Sequence, residues 1–318
     1  MDSFVFSINA TIPVFLIMIV GWLIRRSGII DDNFTDKAND YVFKIGLPVL
    51  LFKDLSRADL GGNFSFDLLF YCMGVTTVMF VLIWIFTEIF MKNKDEIGAF
   101  VQASFRSSAA VLGMAFIDNM FSDPGMAPIM IVGVVPLFNT YSVILLTFKG
   151  KNMMSEKKSM KDTLKKAFVN VAKNPIIWGV IIGIVSSFLE IDFPKIIDKT
   201  VDGIAQTGTP FALICVGASF NGGKAIKKIK PTVVASIIKL VVLPAVFLPI
   251  AIAMGFRHQE LVSILILLGS PTTVTCFIMA KSMDNDEVLT SSIIVLTTLL
   301  SSVTLTAWIF LLHYQGLI

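Results

Sequence analysis

Cysteine is scarce: three in 318 residues, none in a C-x-x-C pair. That excludes a disulfide framework and zinc-type ligand spacing. Histidine is scarcer still. His258 and His313 stand far apart, a poor basis for metal or acid–base chemistry, and no metal or other cofactor is expected. Tyr and Trp number 4 each, against 27 Phe. Charged residues make up only 15%, where a soluble domain carries about 25%. This argues against a water-soluble enzyme. Disorder is excluded too, because 55% hydrophobic residues and a mean hydropathy of +0.81 demand burial. The chain also lacks the marks of a secretory signal at its start. Asp2 and no Lys or Arg precede the first apolar run, Arg25 and Arg26 follow it, and no small-residue cleavage site appears.

What the chain has instead is long apolar runs. A membrane-crossing helix needs about 20 mostly apolar residues. Ten runs meet or approach that length: 7–24, 39–55, 68–90, 97–120, 127–148, 175–189, 201–220, 231–254, 261–280 and 288–312. The sixth is short unless it starts a turn earlier, and the second is the least apolar, with Asp40 and Lys44 inside it. The pattern reads as an all-α, multi-pass protein of the lipid bilayer. Basic loop residues orient it. The loop 149–173 holds eight Lys, and eighteen Lys and Arg fall on its side against five on the other. That side is taken as cytoplasmic, which puts both termini outside the cytoplasmic membrane. The basic run 157–166 is read as part of an amphipathic linker near anionic headgroups. No nucleic-acid partner is expected.

A shift of 162 residues lays the first half on the second. Pro13 meets Pro175, Gly21 meets Gly183, and Asp36, Lys37 and Asp40 meet Asp198, Lys199 and Asp202. Gly46 and Pro48 meet Gly208 and Pro210, and Leu51 meets Leu213. At a shift of 163, Ser107 meets Ser270, Val111 meets Val274, Asp123 meets Asp286 and Val132 meets Val295. Two repeats of five helices follow, 1–148 and 174–318, joined by the cytoplasmic linker 149–173. Five is odd, so the second repeat enters the membrane from the opposite side. Inverted repeats serve alternating access in secondary transporters.

In such folds the site lies near the bilayer midplane, at interrupted helices. Segment 9 reads Gly269-Ser270-Pro271-Thr272-Thr273-Val274-Thr275. Its Gly and Pro predict a break, and its hydroxyls can re-satisfy the backbone or bind solute; an ordinary proline kink is the bland alternative. Its repeat partner in segment 4, Arg106-Ser107-Ser108, has no Pro, so a break there rests on the repeat. Arg106 lies ten residues past Glu96, about 15 Å into the membrane, with no carboxylate close by in sequence. Lys239 lies about as deep, and reads equally as functional or as a partner for carbonyls of a broken helix. Lys44 can snorkel. The acidic residues fall in loops or near helix ends, leaving no obvious proton carrier, so movement driven by the substrate's own gradient and the membrane potential is expected. In segment 5, Asn139-Thr140-Tyr141-Ser142 either lines the same cavity or glues helices together. Arg106 and two converging helix N-termini make the site electropositive. The expected substrate is a small anion, a carboxylate matching the guanidinium fork. The candidate site is Arg106, Ser107, Ser108, Asn139, Ser270, Pro271, Thr272 and Thr273.

With these residues in view, the chain resembles the auxin efflux carrier family in its compact bacterial form. The resemblance rests on Gly46-Leu47-Pro48 with Leu51-Phe52, Ser104-Phe105-Arg106-Ser107 through Gly113, Lys173-Asn174-Pro175, Gly208-Thr209-Pro210 through Gly217-Ala218-Ser219, and Ser270-Pro271-Thr272. The family includes plant PIN auxin exporters and bacterial permeases for malate, malonate and similar carboxylates. The resemblance implies a ten-helix fold like that of bile acid symporters and NhaA, with helices 4 and 9 crossing at the site. It implies a scaffold of helices 1, 2, 6 and 7, a transport part of helices 3–5 and 8–10, elevator motion and a homodimer. Ser107-Ser108 stand where family members often carry Asn. The function expected is secondary transport of an organic anion. A sodium- or proton-coupled symporter is the alternative within that class. A membrane sensor or enzyme is the alternative outside it, and no deep acid–base pair supports it.

Overall fold

Apolar runs become helices in a bilayer because each backbone N–H and C=O must find its partner within the segment. The computed structural model describes residues 2–57, 65–109, 120, 126–150, 168–169 and 172–318. In chain order the helices are α1 (Asp2–Arg26), α2 (Asp32–Tyr41), α3 (Leu47–Ser56), α4 (Phe66–Phe90), α5 (Ile97–Phe105), α6 (Ala127–Lys149), α7 (Pro175–Phe188), α8 (Lys195–Ser219), α9 (Gly222–Lys227), α10 (Ile229–Ile237), α11 (Leu243–Ala253), α12 (His258–Gly269), α13 (Thr275–Ser282) and α14 (Glu287–Tyr314). No strand occurs among the described residues. The expected second half of segment 4 (110–119), Asp123 and most of the basic linker (151–167, 170–171) lie outside the described residues.

Among the described residues, four helical runs are long and apolar enough to cross a membrane: α4, α6, the α10–α11 run Ile229–Ala253, and α14. Segments 4 and 9 are interrupted. Segment 6 does not begin a turn earlier: Asn174 caps α7 at Pro175, leaving 14 residues, about 21 Å of helix. The outward faces are apolar. α4 exposes Phe70, Leu82, Ile85 and Ile89, and α7 exposes Trp178, Ile181, Ile182 and Val185. Water tolerates no such continuous apolar belt; lipid does. The protein is a helical membrane protein.

Prolines shape the segments that are not straight. Pro48 and Pro244 each follow a π-helical turn, Val42–Gly46 and Ile238–Val242. A proline leaves the carbonyl four residues earlier without its N–H. For Pro244 that carbonyl is Leu240, and the indole N–H of Trp308 donates to it at 3.0 Å.

α1 packs on α8, and α3 on α7. Glycines bring main chains together there. A Cβ on Gly21 would lie 2.5 Å from the Ile214 carbonyl oxygen, and one on Gly183 would lie 3.0 Å from that of Phe52. Gly46 and Gly208 face each other, a Cβ on Gly46 falling 3.2 Å from the Gly208 Cα. Two apolar cores result. The larger takes side chains from α4, α5, α6, α10–α12 and α14, including Met79, Phe105, Phe138 and Leu265. The smaller joins α1–α3, α7 and α8 to α13 and the end of α6, through Met18, Leu47, Val216 and Phe277.

Ion pairs close the ends. Arg57, just past α3, reaches Asp202 at 2.7 Å and Asp198 at 3.0 Å on α8, and Lys53 reaches Asp202 at 3.3 Å. The hydrogen bond to Asp202 raises the Arg57 pKa further against the opposing pull of burial, with Asp198 adding to it. At the other end, Lys281 pairs with Asp36 at 2.7 Å, and the Asn39 amide donates to Ser282 at 2.8 Å. Lys44 is exposed and paired with Asp40, in keeping with snorkelling.

Candidate functional site

The break in segment 9 follows from Pro271. Its ring denies the α region to the residue before it, and Ser270 is extended at φ −70, ψ 156. The carbonyl that Pro271 orphans, four residues back, is Leu267. The Lys239 ammonium donates to it at 3.2 Å. Lys239 is fully buried, so a deep cation sits at the carbonyl end of α12, where the helix dipole is negative. This is the structural alternative for Lys239.

Segment 4 is also interrupted, without a proline. Arg106 is extended at φ −77, ψ 139, and residues 106–108 are not α-helical. The cause lies in the other break. The Ser108 N–H donates to the Pro271 carbonyl at 2.9 Å, in place of its helical acceptor four residues back. The Ala103 carbonyl, left free by the same departure, accepts the Thr272 hydroxyl at 2.6 Å. The Thr272 N–H donates to Thr297 at 3.2 Å. Each interrupted strand of backbone thus satisfies the other, as buried polar groups require.

Beside this crossing lies a cavity of about 80 Å³, room for about two to three waters at roughly 30 Å³ each. Seven of the eight expected site residues line it: Arg106, Ser107, Ser108, Asn139, Pro271, Thr272 and Thr273. Ser270 does not; it is fully buried, and its hydroxyl has no partner among the described residues. Thr272 lines the wall, but its hydroxyl and N–H are spent on the crossing. Residues beyond the expected set complete the wall: Leu47, Leu50, Leu51 and Asp54 from α3, Thr209 from α8, and Thr275.

Arg106 is 4% exposed. Its Nη2 donates to Thr275 at 2.8 Å and Asn139 at 3.2 Å. Its Nη1 donates to Ser142 at 3.2 Å and meets the Met279 sulfur at 2.8 Å. All four partners are neutral, and no carboxylate pairs with it among the described residues. Its Nε, and the Ser107 hydroxyl, are buried without a hydrogen-bond partner among the described residues. Asn139 is held in place, its amide donating to the Val135 carbonyl at 2.8 Å. The polar run of segment 5 divides: Asn139 and Ser142, three residues apart on one helix face, orient Arg106, while the Tyr141 hydroxyl turns away to Thr77 at 2.9 Å. Both Nη nitrogens of Arg106 are thus engaged and Nε–H is the donor left over; a buried cation with only neutral partners and a cavity beside it is equipped to hold an anion, which would offset its charge.

Comparison with known proteins agrees in kind. A family described as "Membrane transport protein" matches residues 6–309. A Rhizobium meliloti (strain 1021) protein named "Putative malonate transporter" is 24% identical over 324 residues, 96% of each chain. An "Uncharacterized transporter" of Methanothermobacter thermautotrophicus is 20% identical over 96% of this chain and 98% of its own. A Mus musculus "Lysosomal cholesterol signaling protein" is 23% identical over 74% of this chain and 28% of that protein. With interrupted segments 4 and 9 meeting beside a buried arginine, and a family match over nearly its whole length, the chain belongs to the membrane transport proteins of the auxin efflux carrier family, a transporter and not an enzyme.

Proposed function

We propose that this chain carries a small organic anion, a carboxylate or dicarboxylate, across the cytoplasmic membrane by alternating access. One observation carries the reading: the Arg106 guanidinium is buried on the wall of the crossing cavity with only neutral partners. Burying an uncompensated charge is costly, and a bound carboxylate offsets that cost. The malonate named for the Rhizobium relative fits this chemistry.

The inverted five-plus-five repeat is supported by reciprocal contacts. Gly21 approaches Ile214, and their counterparts 162 residues on and back, Gly183 and Phe52, approach each other. Gly46 touches its own counterpart Gly208, and Ser108 bonds Pro271, its counterpart at 163. Pairs of this kind arise around a two-fold axis. The larger core draws on segments 3–5 and 8–10, which supports a division into transport part and scaffold, and the smaller core is where the scaffold segments meet α13 and the end of α6. Asp36–Lys281 and Asn39–Ser282 tie the two parts at the end read as cytoplasmic. The cavity wall extends along α3 toward the other end, which supports reading this as an outward-facing arrangement. Elevator movement and pairing into a homodimer complete the reading.

In a thermal-shift series on purified protein, malonate and other short dicarboxylates should raise the melting temperature, and amines of matched size should not. A panel of carboxylates without effect at millimolar concentration would sink the anion reading. Orientation has its own test at Lys199 in the first turns of α8 and Lys224 in α9, which follows its other end; both are exposed. Lys199→Cys should react with an impermeant maleimide in intact cells, and Lys224→Cys only after lysis. The three native cysteines are buried and give little background. Labelling of both from one face would refute the topology.

A further inference from the structure

One carboxylate reaches the cavity, and the transport reading leaves it without a role. Leu47, Leu50, Leu51 and Asp54 all line the cavity. Their spacing of three, four and seven residues puts them on one face of α3. Asp54 therefore continues the apolar stripe that faces the crossing. Its basic neighbours Lys53 and Arg57 act on it electrostatically but make their ion pairs elsewhere, Arg57 with Asp198 and Asp202, and Lys53 with Asp202. Those two acids are what α8 brings to this end beside Lys195 and Lys199, and α7, the other helix packed on α3, carries no titratable residue. Among the described residues, Asp54 makes no hydrogen bond or ion pair. The other charged residue on the cavity wall is Arg106.

We propose that Asp54 is part of the anion site and takes up a proton when the anion binds, so that the affinity of the cavity depends on pH. The inference rests on the anion reading above. With the cavity empty, one carboxylate and one guanidinium share it. A second carboxylate adds a like charge in a water-poor space, and like charges favour the protonated acid. An O–H bond forms at the Asp54 carboxyl as the anion enters and breaks as it leaves, the proton exchanging with the water on the open side. Asp54 sits on a scaffold segment, so the proton is not carried across. The linkage sets affinity on one face and leaves transport free of a pH-gradient requirement.

The test is calorimetric titration of malonate into the detergent-solubilised protein, in two buffers of unequal ionisation enthalpy, across a pH series. The wild type should take up protons beyond those taken up by Asp54→Asn; protonation of malonate itself is common to both. Where Asp54 is ionised in the empty protein, wild-type affinity should fall by about tenfold per pH unit relative to Asp54→Asn. Asp54→Glu should restore the linkage, which a merely structural role for the side chain would not do. Identical proton uptake and pH profiles in wild type and Asp54→Asn would overturn the inference and leave the anion site standing. Malonate binding to neither protein at any pH would overturn the anion reading and this inference with it.

Discussion

Arg106→Ala should lower carboxylate affinity by about ten- to a hundred-fold while leaving a folded protein. The estimate comes from the donors lost. A hydrogen bond to a charged group is worth about 1.5–3 kcal/mol, which is about that range in dissociation constant. Folding should survive, because Arg106 contributes no ion pair among the described residues, and removing it relieves the burial of a charge. What remains are neutral acceptors, Asn139, Thr275 and Ser142, facing the space vacated. Arg106→Lys should recover part of the affinity. It keeps the charge but loses the planar fork that spans Asn139 and Thr275 on one nitrogen and Ser142 on the other. If Arg106 were only a clamp on these side chains, Arg106→Ala would melt lower and bind normally. Affinity and melting temperature measured together separate the two cases.

Gly217→Ala should be among the most damaging single-methyl changes in the protein. Alanine in a helix ordinarily gains about 1 kcal/mol over glycine. At Gly217 the new Cβ would lie 1.9 Å from the Met18 carbonyl oxygen and 2.7 Å from its carbon. Both are main-chain atoms of α1, so no side chain can turn aside and the two helices must part. The cost belongs at the upper end of overpacking, about 3 kcal/mol. Gly74→Ala is the control. It sits within α4 with nothing within 4 Å of the added methyl, and should stabilise. Melting temperatures that rise equally in both variants would refute the close α1–α8 contact.

How much of this was legible in the sequence depended on whether the cause of a feature lay nearby in the chain. The break in segment 9 was legible because Pro271 carries it. The break in segment 4 was signalled only by the repeat, since its cause is the Pro271 carbonyl across the crossing. Arg106 could be placed at depth by counting residues, but its partners come from α6 and α13 and could be named only in part, as the polar run at Asn139. Lys239 was ambiguous until its partner proved to be Leu267, the carbonyl orphaned by Pro271. Thr272 was legible as a cavity-lining hydroxyl, but its bond to the Ala103 carbonyl, distant in the chain, was not. Asp54 was hidden between Lys53 and Arg57, which make it look like an ordinary helix-end charge. The stripe from Leu47 through Leu50 and Leu51 was the signal that would have found it.

The most direct test of the transporter assignment is counterflow in proteoliposomes. Purified wild-type protein is reconstituted, loaded with unlabelled malonate, and diluted into a trace of labelled malonate. The expected result is transient accumulation of label that saturates with concentration, is competed by other short dicarboxylates, and is nearly absent with Arg106→Ala. Label entry no faster than in protein-free liposomes across the carboxylate panel, or counterflow undiminished in a stable Arg106→Ala protein, would contradict an anion carrier built on the crossing of segments 4 and 9.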